Sequence, residues 1–568
     1  MTESRRKFLL VSAGLVLAVI FFFAYSFLPR SVPGIYNSPD ESANAVFSVQ
    51  FAADGRLYRV DELNLRSGLE GLVHPRSVLV SDGFQVPGSF IGLPVIYGLV
   101  ARAVGVVRLP FLTPALALLG VLAWGWLLSR LFGRRVGVLG GLLLLVNPAW
   151  WYWSARTMMP NVAFVSLLLV AMAFVFGAPL ANLARKSRGE EGESVLHADG
   201  VLAGLFLGLA LAVRPVEAYW LAAAAAVIVV IRRRSLPWAR IGVAAVFCLL
   251  TLLPFLVLSH SLYGSWFATG YGGLSSAVPE TAHGGLGARL IGPLRPWLFP
   301  LGFAPRTALS SFWTYGLKFF WWWTVPTLLS VAFLLYGRRH ARSRSSERHR
   351  TAGEFAAVAA TVTAWLLVFY GSWSVQDNPD PNAVSIGSSY LRYWLPMFVA
   401  STVPLALAAD RLLAARPSRL RTVAVCVSLL VLASVSAAAV YGSRQEGLVA
   451  VRSSLTGYSS DMRTVLSLTG SDAVIVADRA DKFLYPYRSV IYPLRSESTY
   501  AALSVAATAR PLFYYGLTLP PVDLDWLRSV RLVPQGLDIE PVHGIGENTL
   551  YRIYRTYSDR HSADQKRP

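Results

Sequence analysis

An acidic pair at a predicted helix start is the first place in this sequence where chemistry could occur. Ser38-Pro39-Asp40-Glu41 has the pattern of a helix N-terminus, in which Ser38 is the N-cap and Glu41 completes a capping box. In the structural interpretation, both carboxylates complement the helix dipole. In the functional interpretation, one of them is a catalytic base. The pattern by itself leaves both interpretations open.

Basic residues on segments predicted to face outward form a second group of candidates. Ionisable side chains in or near membrane helices are often functional, but Arg and His at helix ends also anchor to lipid headgroups. Pro215 breaks the apolar run beside Arg214, and Arg392 lies among aromatic residues at a helix entrance. Both roles stay open for each of the basic candidates, which are His74, Arg76, Arg156, Arg214 and Arg392.

The composition indicates which kind of element must position these residues. The chain has 568 residues, of which 54% are hydrophobic and 15% charged, and its formal net charge is +20. This is far more apolar than a soluble protein of that size. The Lys and Arg residues form short clusters between apolar runs of about 20 residues, which indicates membrane topology and not nucleic-acid binding. Cys248 and Cys426 lie inside apolar runs, which argues against a disulfide framework or a thiolate metal site.

Basic clusters at every second boundary predict one orientation, because cytoplasmic loops carry an excess of Lys and Arg. The clusters lie at 5–7, 130–135, 185–188, 232–240, 338–350 and 411–421. They predict a multi-pass protein of the inner (cytoplasmic) membrane, with a cytoplasmic N-terminus and an extracytoplasmic C-terminal tail. The length rule predicts about eleven transmembrane helices, at 8–28, 110–131, 136–153, 162–182, 200–214, 216–231, 241–260, 312–336, 354–373, 394–410 and 422–441.

The predicted fold class is an all-α polytopic membrane protein with a small C-terminal extracytoplasmic α/β domain. Residues 1–441 form the predicted transmembrane domain, whose large first outward loop, 29–109, carries membrane-lying helices. After Tyr441 the hydrophobicity drops, and residues 442–568 form the predicted α/β domain. Short apolar segments there predict strands at 473–477, 489–492, 512–517 and 549–554.

Four features occur along the chain in a recognisable order. They are the acidic pair opening a large outward loop, His74-Pro75 before a Pro/Gly-rich membrane-lying helix, Leu262-Tyr263-Gly264-Ser265-Trp266 through Gly270-Tyr271, and Tyr390-Leu391-Arg392-Tyr393-Trp394-Leu395-Pro396. Together they resemble the integral-membrane glycosyltransferases of the GT-C type. More narrowly, the chain is similar to bacterial and archaeal relatives of the protein mannosyltransferases and the aminoarabinose transferase, often called family 39. The resemblance covers roughly residues 1–440.

The resemblance implies an inverting glycosyltransferase that moves a sugar from a polyprenyl-phosphate carrier to an acceptor hydroxyl on the outer face of the membrane. It places the catalytic carboxylate at the acidic pair, with Asp40 as the first choice and Glu41 as the second. The basic candidates would then bind the donor phosphate, because a guanidinium offers a fork of donors that matches phosphate oxygens. In-line displacement would invert the anomeric centre without a covalent intermediate.

A second acidic residue that family members often carry is absent from this sequence. The second outward loop reads Ser154-Ala155-Arg156-Thr157-Met158-Met159-Pro160-Asn161 and has no carboxylate. Its absence argues against a two-acid or metal-dependent form of the mechanism. We therefore predict no metal ligands, while a divalent cation stays open as a cofactor.

The expected partners are a polyprenyl-phosphate-linked sugar donor, a glycan, lipid or protein acceptor, and membrane lipids, with no nucleic acid. Two alternatives stay open. A multi-span transporter or flippase for a lipid-linked glycan would also need many helices, although transporters usually show repeat symmetry and polar sites near mid-membrane. A non-catalytic assembly subunit with the same fold is the other alternative, because fold does not determine activity.

Overall fold

The computed structural model describes residues 3–177, 193–271, 302–340, 347–375, 380, 383–414 and 418–556. By its contacts the chain divides into two compact units. The first, here called the membrane unit, comprises Met1–Ser31, Pro110–Val257 and Gly272–Val451. The second, here called the α/β unit, comprises Val32–Leu109, Leu258–Tyr271 and Arg452–Pro568.

Long apolar helices dominate the chain, as the composition predicts. Among the described residues, seven helices are long and apolar enough to cross a membrane: Val106–Phe132, Pro160–Gly177, Pro215–Arg232, Trp238–Tyr263, Glu347–Gly371, Leu395–Ala414 and Arg419–Gly442. The number rises to nine if each of two bent helix pairs is one span. These pairs are Arg134–Leu145 with Pro148–Ala155, bent by 54°, and Pro305–Lys318 with Trp321–Gly337, bent by 91°.

As far as the structure describes them, all of the predicted spans coincide with helix, while residues 178–182 of the span predicted at 162–182 lie outside the described residues. Two of the eleven, 8–28 and 200–214, coincide with the shorter apolar helices Ser12–Tyr25 and His197–Val213. The basic cluster at 185–188 lies outside the described residues, as do 272–301 of the loop that follows the span at 241–260. The prediction of a polytopic α-helical fold is confirmed. The orientation of the termini stays a prediction.

The break predicted beside Arg214 is present. One helix ends at Val213, a 3₁₀ turn occupies Pro215–Glu217, and the next helix begins at Ala218. Pro215 has no N–H to continue the hydrogen-bond ladder and disfavours helical geometry at the preceding residue. The interruption leaves the side chains of Arg214 and Glu217 buried inside the membrane unit.

The α/β unit contains a small antiparallel sheet that we did not predict. Its strands are β1 (Arg59–Val60), β2 (Val78–Ser81) and β3 (Phe84–Pro87), in the order β1-β3-β2. Ser81 pairs with Phe84, so Asp82-Gly83 is a two-residue turn, and both residues have positive φ. Asp-Gly between apolar segments is a strong hairpin signal and was present in the sequence.

The larger sheet of the α/β unit has the order β5-β4-β6-β8-β7. Its strands are β4 (Val474–Ala477), β5 (Ser489–Ile491), β6 (Leu512–Leu517), β7 (Leu537–Ile545) and β8 (Asn548–Arg555). Strands β5, β4 and β6 are parallel, whereas β8 and β7 are antiparallel additions. The four predicted strands are confirmed. Strand β7 escaped prediction because only Leu537 and Ile539 of its nine residues are buried.

Helices complete the α/β unit. The helix Pro39–Asp54, which we call the acidic helix, packs against the helix Gly92–Val104. The remaining helices of the C-terminal region are Leu448–Leu468, Asp481–Leu484, Glu497–Ala509 and Pro521–Trp526. The apolar core of this unit joins Leu63, Leu69 and Val73 of the first loop to residues of the C-terminal sheet. The domain boundary predicted at residue 442 stays a prediction.

Candidate functional site

The acidic helix begins with the predicted capping box. Ser38 Oγ accepts a hydrogen bond from the backbone N–H of Glu41, with N and O 3.2 Å apart. Glu41 Oε2 accepts from the backbone N–H groups of Asn37 at 2.9 Å and Ser38 at 3.0 Å. The Glu41 residue is only 2% exposed. These contacts give Glu41 a structural role at the helix start, so the capping prediction is confirmed.

Asp40 has different surroundings. Its side chain is half-buried, and its Oδ1 accepts a hydrogen bond from the Ser77 hydroxyl at 2.5 Å. Ser77 adopts a positive φ of 61°, which is unusual for a residue with a side chain. The bond from Ser77 orients the carboxylate while leaving part of it accessible. This geometry suits a general base better than the geometry of Glu41 does.

Arg76 binds the carboxylate of Asp481 in a forked arrangement. Arg76 Nη2 lies 2.6 Å from Asp481 Oδ1, and Arg76 Nε lies 3.0 Å from Oδ2, which also accepts from the Arg76 backbone N–H. Burial lowers the pKa of Arg76, but the hydrogen bond and charge of fully buried Asp481 outweigh it, and the pKa is raised. Arg76 therefore fixes the loop that carries Ser77.

His74 lies in the same loop of the α/β unit. Its ring Nδ1 is 2.9 Å from the Pro75 carbonyl oxygen, and the residue is half-buried. The loop is held on its other side by Asn64, whose side chain exchanges two hydrogen bonds with the backbone of Val73. His74 and Arg76 thus belong to the loop whose Ser77 contacts Asp40.

Further segments singled out in the sequence also meet in this unit. The Ser89 hydroxyl donates to Asn44 Oδ1 at 3.2 Å, one turn after Asp40 on the acidic helix. The Gly270 N–H donates to the Ser89 carbonyl at 3.1 Å, and the Tyr263 hydroxyl donates to the Pro87 carbonyl at 2.7 Å. The 262–271 segment therefore holds the end of β3 close to the acidic helix.

The other three predicted site residues come together in the membrane unit. The guanidinium carbons of Arg156 and Arg392 lie 5.5 and 5.6 Å from the ring centre of Trp153. Those of Arg214 and Arg392 lie 5.3 and 5.1 Å from the ring centre of Tyr393. We call these three residues the arginine group. It gathers three positive charges around two aromatic rings.

Arg214 is the most constrained member of the arginine group. Its Nε lies 2.7 Å from Glu217 Oε1, and its Nη2 donates to the Tyr370 hydroxyl at 2.9 Å. The Tyr370 hydroxyl in turn donates to Glu217 Oε1 at 2.7 Å. The ring of Tyr370 stacks on that of Tyr393 with 4.4 Å between centres. Arg214 thus belongs to a closed network that was not predicted.

Local structure explains how Trp153 and its neighbours reach the arginine group. Asn147 caps the short helix Pro148–Ala155 by accepting from the backbone N–H of Trp150 at 3.1 Å. Arg156 follows that helix and donates to the Tyr152 hydroxyl at 3.1 Å. Trp153 is 2% exposed, and its indole N–H has no hydrogen-bond partner in the part of the chain that the structure describes.

The predicted site residues therefore fall into two groups, one in each unit. Asp40, Glu41, His74 and Arg76 belong to the α/β unit, and the arginine group belongs to the membrane unit. The chemical roles assigned to them stay predictions. Sequence analysis missed Ser77, Asp481 and Tyr370, which contact predicted residues from up to 405 positions away. No local pattern signals contacts over such separations.

Metal-ligating side chains do not cluster in the described residues. In the described ranges, no group of three or more His, Cys, Asp or Glu side chains could hold a metal ion. Glu41 accepts from the backbone N–H of Ser38, whereas Asp40 accepts from the Ser77 hydroxyl. The expectation of no metal ligands stays a prediction, and a divalent cation stays open as a cofactor.

The fold of this chain is similar to that of solved membrane-protein structures. ArnT from Cupriavidus metallidurans, in a crystal structure bound to undecaprenyl phosphate, matches with a TM-score of 0.56 and 13% identity, covering 95% of this chain and 97% of that one. The apo structure of ArnT from the same organism matches with a TM-score of 0.54 and 14% identity, covering 97% of this chain and 98% of that one. The apo structure of the Archaeoglobus fulgidus oligosaccharyltransferase matches with a TM-score of 0.48 and 11% identity, covering 89% of this chain and 69% of that one. No protein-family model and no curated protein matches the sequence.

ArnT is an aminoarabinose transferase of the GT-C type. The resemblance inferred from the sequence is therefore confirmed for the fold, which extends over nearly all of both chains.

Proposed function

We propose that this chain, a multi-pass membrane protein with the fold of ArnT, moves a sugar from a polyprenyl-phosphate carrier to an acceptor hydroxyl. The observation that carries the proposal is the contrast within the acidic pair. Glu41 is buried and occupied by helix capping, whereas Asp40 is half-buried and oriented by the Ser77 hydroxyl. A carboxylate held at the surface of a rigid element is what activation of a hydroxyl requires.

In this reaction Asp40 acts on the acceptor. Its carboxylate takes the proton of the acceptor hydroxyl as that oxygen attacks the anomeric carbon of the sugar. The bond between the anomeric carbon and the phosphate oxygen breaks with its electron pair, and polyprenyl phosphate leaves. One attack from the side opposite the leaving group inverts the anomeric centre. The donor is already activated, so no covalent enzyme intermediate is required.

The arginine group binds the donor phosphate in this proposal. Three guanidinium groups around two aromatic rings concentrate positive charge at one place in the membrane unit. Such a concentration attracts an anion, and the attraction is strong where water is scarce. Guanidinium and phosphate groups also match in geometry. The undecaprenyl phosphate bound in an ArnT structure supports a polyprenyl phosphate as the ligand in this proposal.

Arg76 has another role in the proposal. Its bond to Asp481 makes it a positioning residue, since it fixes the backbone of the neighbouring Ser77. His74 stays a candidate for binding the donor phosphate, because its ring is half-buried and lies in that loop.

The test of Asp40 is a transfer assay with radiolabelled polyprenyl-phosphate sugars and membrane extract as the acceptor source. We expect Asp40→Asn to reduce the transfer rate by a factor of about 10² to 10⁴, the usual contribution of a general base. Glu41→Gln retains an oxygen for the cap and should keep most of the activity. The matched control is Asp54→Asn, which makes the same change at the exposed far end of the acidic helix.

Full transfer by a folded Asp40→Asn protein would remove Asp40 from the mechanism. Loss of transfer in Glu41→Gln alone, with a normal thermal unfolding midpoint, would move the base to Glu41. A wild-type protein that transfers no sugar from any donor would instead favour a transporter or an assembly subunit.

The arginine group is tested by donor binding. We expect Arg392→Gln to weaken the affinity for undecaprenyl phosphate in nanodiscs by at least about tenfold, because a charge-assisted hydrogen bond is lost. Arg130→Gln, which removes an exposed guanidinium from the same unit, serves as the control and should bind normally. Equal affinity in both variants would contradict the assignment of the phosphate to this group.

A further inference from the structure

A large apolar cavity lies in the membrane unit between three helices. Its volume is about 900 Å³, near the upper end of the range for small-molecule pockets. The helices are Trp321–His340, Glu347–Gly371 and Leu395–Ala414, and the first two pack on the third. Neither proposed catalytic group contributes to its lining.

Small side chains create this space. Ala352, Ala356, Ala360 and Thr363 line it from one helix at helical spacing, and Leu328 faces them from another. Such a surface can accept hydrocarbon chains, but it cannot by itself tell one lipid from another. Selectivity for one kind of lipid therefore depends on the side chains at the polar end of the cavity.

One end of the cavity is basic. Arg348, His349 and Arg411 line it there, and Arg348 is held by Asp410 at 2.5 Å. Arg411 donates from Nη1 to the Leu334 carbonyl at 3.2 Å. After the Asp410 carboxylate is counted, a positive charge remains beside the apolar lining. This end lies where basic clusters predict the cytoplasmic surface.

His349 supplies a second and independent indication. Arg411 Nη2 lies 3.1 Å from His349 Nε2 and can only donate to it. With Nε2 accepting from Arg411, the proton of the ring lies on Nδ1. That Nδ1 is buried and has no hydrogen-bond partner within the described part of the chain. A buried donor next to a guanidinium points to an acceptor from outside the protein.

From this arrangement we propose that the cavity binds an anionic phospholipid of the cytoplasmic leaflet. Its acyl chains lie among the alanine and leucine side chains, and its phosphate accepts hydrogen bonds from Arg411 and from His349 Nδ1. Basic pockets between transmembrane helices bind anionic headgroups in this way. This lipid site shares no lining residue with the groups proposed for sugar transfer. A bound lipid would fill the space between the three helices and so stabilise their packing.

The experiment is native mass spectrometry of the full chain titrated with dioleoyl phosphatidylglycerol or dioleoyl phosphatidylcholine. Wild type should bind phosphatidylglycerol at least about tenfold more tightly, and Arg411→Gln should lose that preference. Arg411→Lys keeps the charge and should retain much of it. Arg419→Gln removes an exposed guanidinium that does not line the cavity and is the matched control.

A cavity-filling variant separates the headgroup from the chains. Ala360→Phe should weaken binding of both phospholipids while leaving the basic end unchanged. Equal affinity of wild type for the two lipids, or an unchanged preference in a folded Arg411→Gln protein, would overturn the proposal. Displacement of phosphatidylglycerol by undecaprenyl phosphate would also overturn it, because the cavity would then hold the donor chain. Failure of sugar transfer alone would leave these binding results unaffected.

Discussion

Backbone strain marks both candidate groups at the scale of single residues. In the described residues, three non-glycine positions have positive φ: Ser77, Asp82 and Met158. Asp82 lies in a hairpin turn, where such a conformation is expected. Ser77 contacts Asp40, and Met158 lies between Arg156 and Met159, which accepts from Arg392. Residues held in such conformations cost about 1–3 kcal/mol each and cluster at functional sites.

Ser77 offers a paired test of this strain. Ser77→Ala and Ser77→Gly both remove the hydroxyl that orients Asp40, so each should lower the transfer rate about tenfold with little change in KM. They should differ in stability. Glycine adopts a φ of 61° without a steric penalty, so Ser77→Gly should be more stable than Ser77→Ala by about 1 kcal/mol.

Thermal unfolding midpoints and steady-state kinetics of the two variants measure both effects. Full activity in both would mean that the bond to Asp40 has no part in the reaction. Equal midpoints would mean that the strain at this position is relieved elsewhere.

At the scale of elements, close backbone contact fixes the segment 262–271 against β3. A Cβ atom at Gly270 would lie 2.2 Å from the Pro87 carbonyl oxygen and 2.4 Å from the Ser89 nitrogen. Both are backbone atoms, which cannot rotate away as a side chain would. The absence of a side chain at Gly270 is therefore what allows this segment to hold the strand end near Asn44 of the acidic helix.

Gly270→Ala should therefore destabilise the protein by about 1–3 kcal/mol, the usual cost of overpacking. Gly544→Ala is the control in the same unit, because a Cβ there meets nothing within 4 Å. Its unfolding midpoint should stay near that of wild type. Limited proteolysis at the 262–271 segment should also accelerate in Gly270→Ala alone. Equal midpoints for the two variants would show that the contact is not maintained.

At the scale of the whole molecule, the first loop and the C-terminal region share one core. Leu63, Leu69 and Val73 are at most 4% exposed and pack in the same cluster as Val474, Ile491 and other sheet residues. The fork between Arg76 and Asp481 adds a polar connection. Burial of three such apolar side chains contributes roughly 5–8 kcal/mol, which approaches the total stability of an ordinary domain.

A fragment of residues 452–556 should consequently fail to fold cooperatively. Joining residues 32–109 to it through a flexible linker restores the missing core and should restore a cooperative thermal transition. Circular dichroism and amide NMR dispersion of the two fragments provide the comparison. A cooperative transition of the short fragment, at the same midpoint as the fusion, would show that the C-terminal region has a sufficient core of its own.

Some of these features could be predicted from local signals. Apolar runs of about 20 residues identify the spans because a bilayer demands them, and Ser38 and Glu41 identify the helix cap because both partners lie within one turn. The Pro215 break and four C-terminal strands follow from equally local patterns. Glycines and prolines carry most of this information, since their backbone preferences act wherever they occur.

Tertiary structure decided what each chemical group contacts. The residue pattern left the capping and catalytic roles open for both carboxylates, and the resemblance only ranked Asp40 before Glu41. The fold shows Glu41 in the helix cap and Asp40 beside Ser77. The fold also pairs Arg76 with Asp481 and places Arg156, Arg214 and Arg392 around the rings of Trp153 and Tyr393. These contacts join residues far apart in the chain. They depend on how helices and sheets pack, which is a property of the summed burial of many side chains and not of any local pattern.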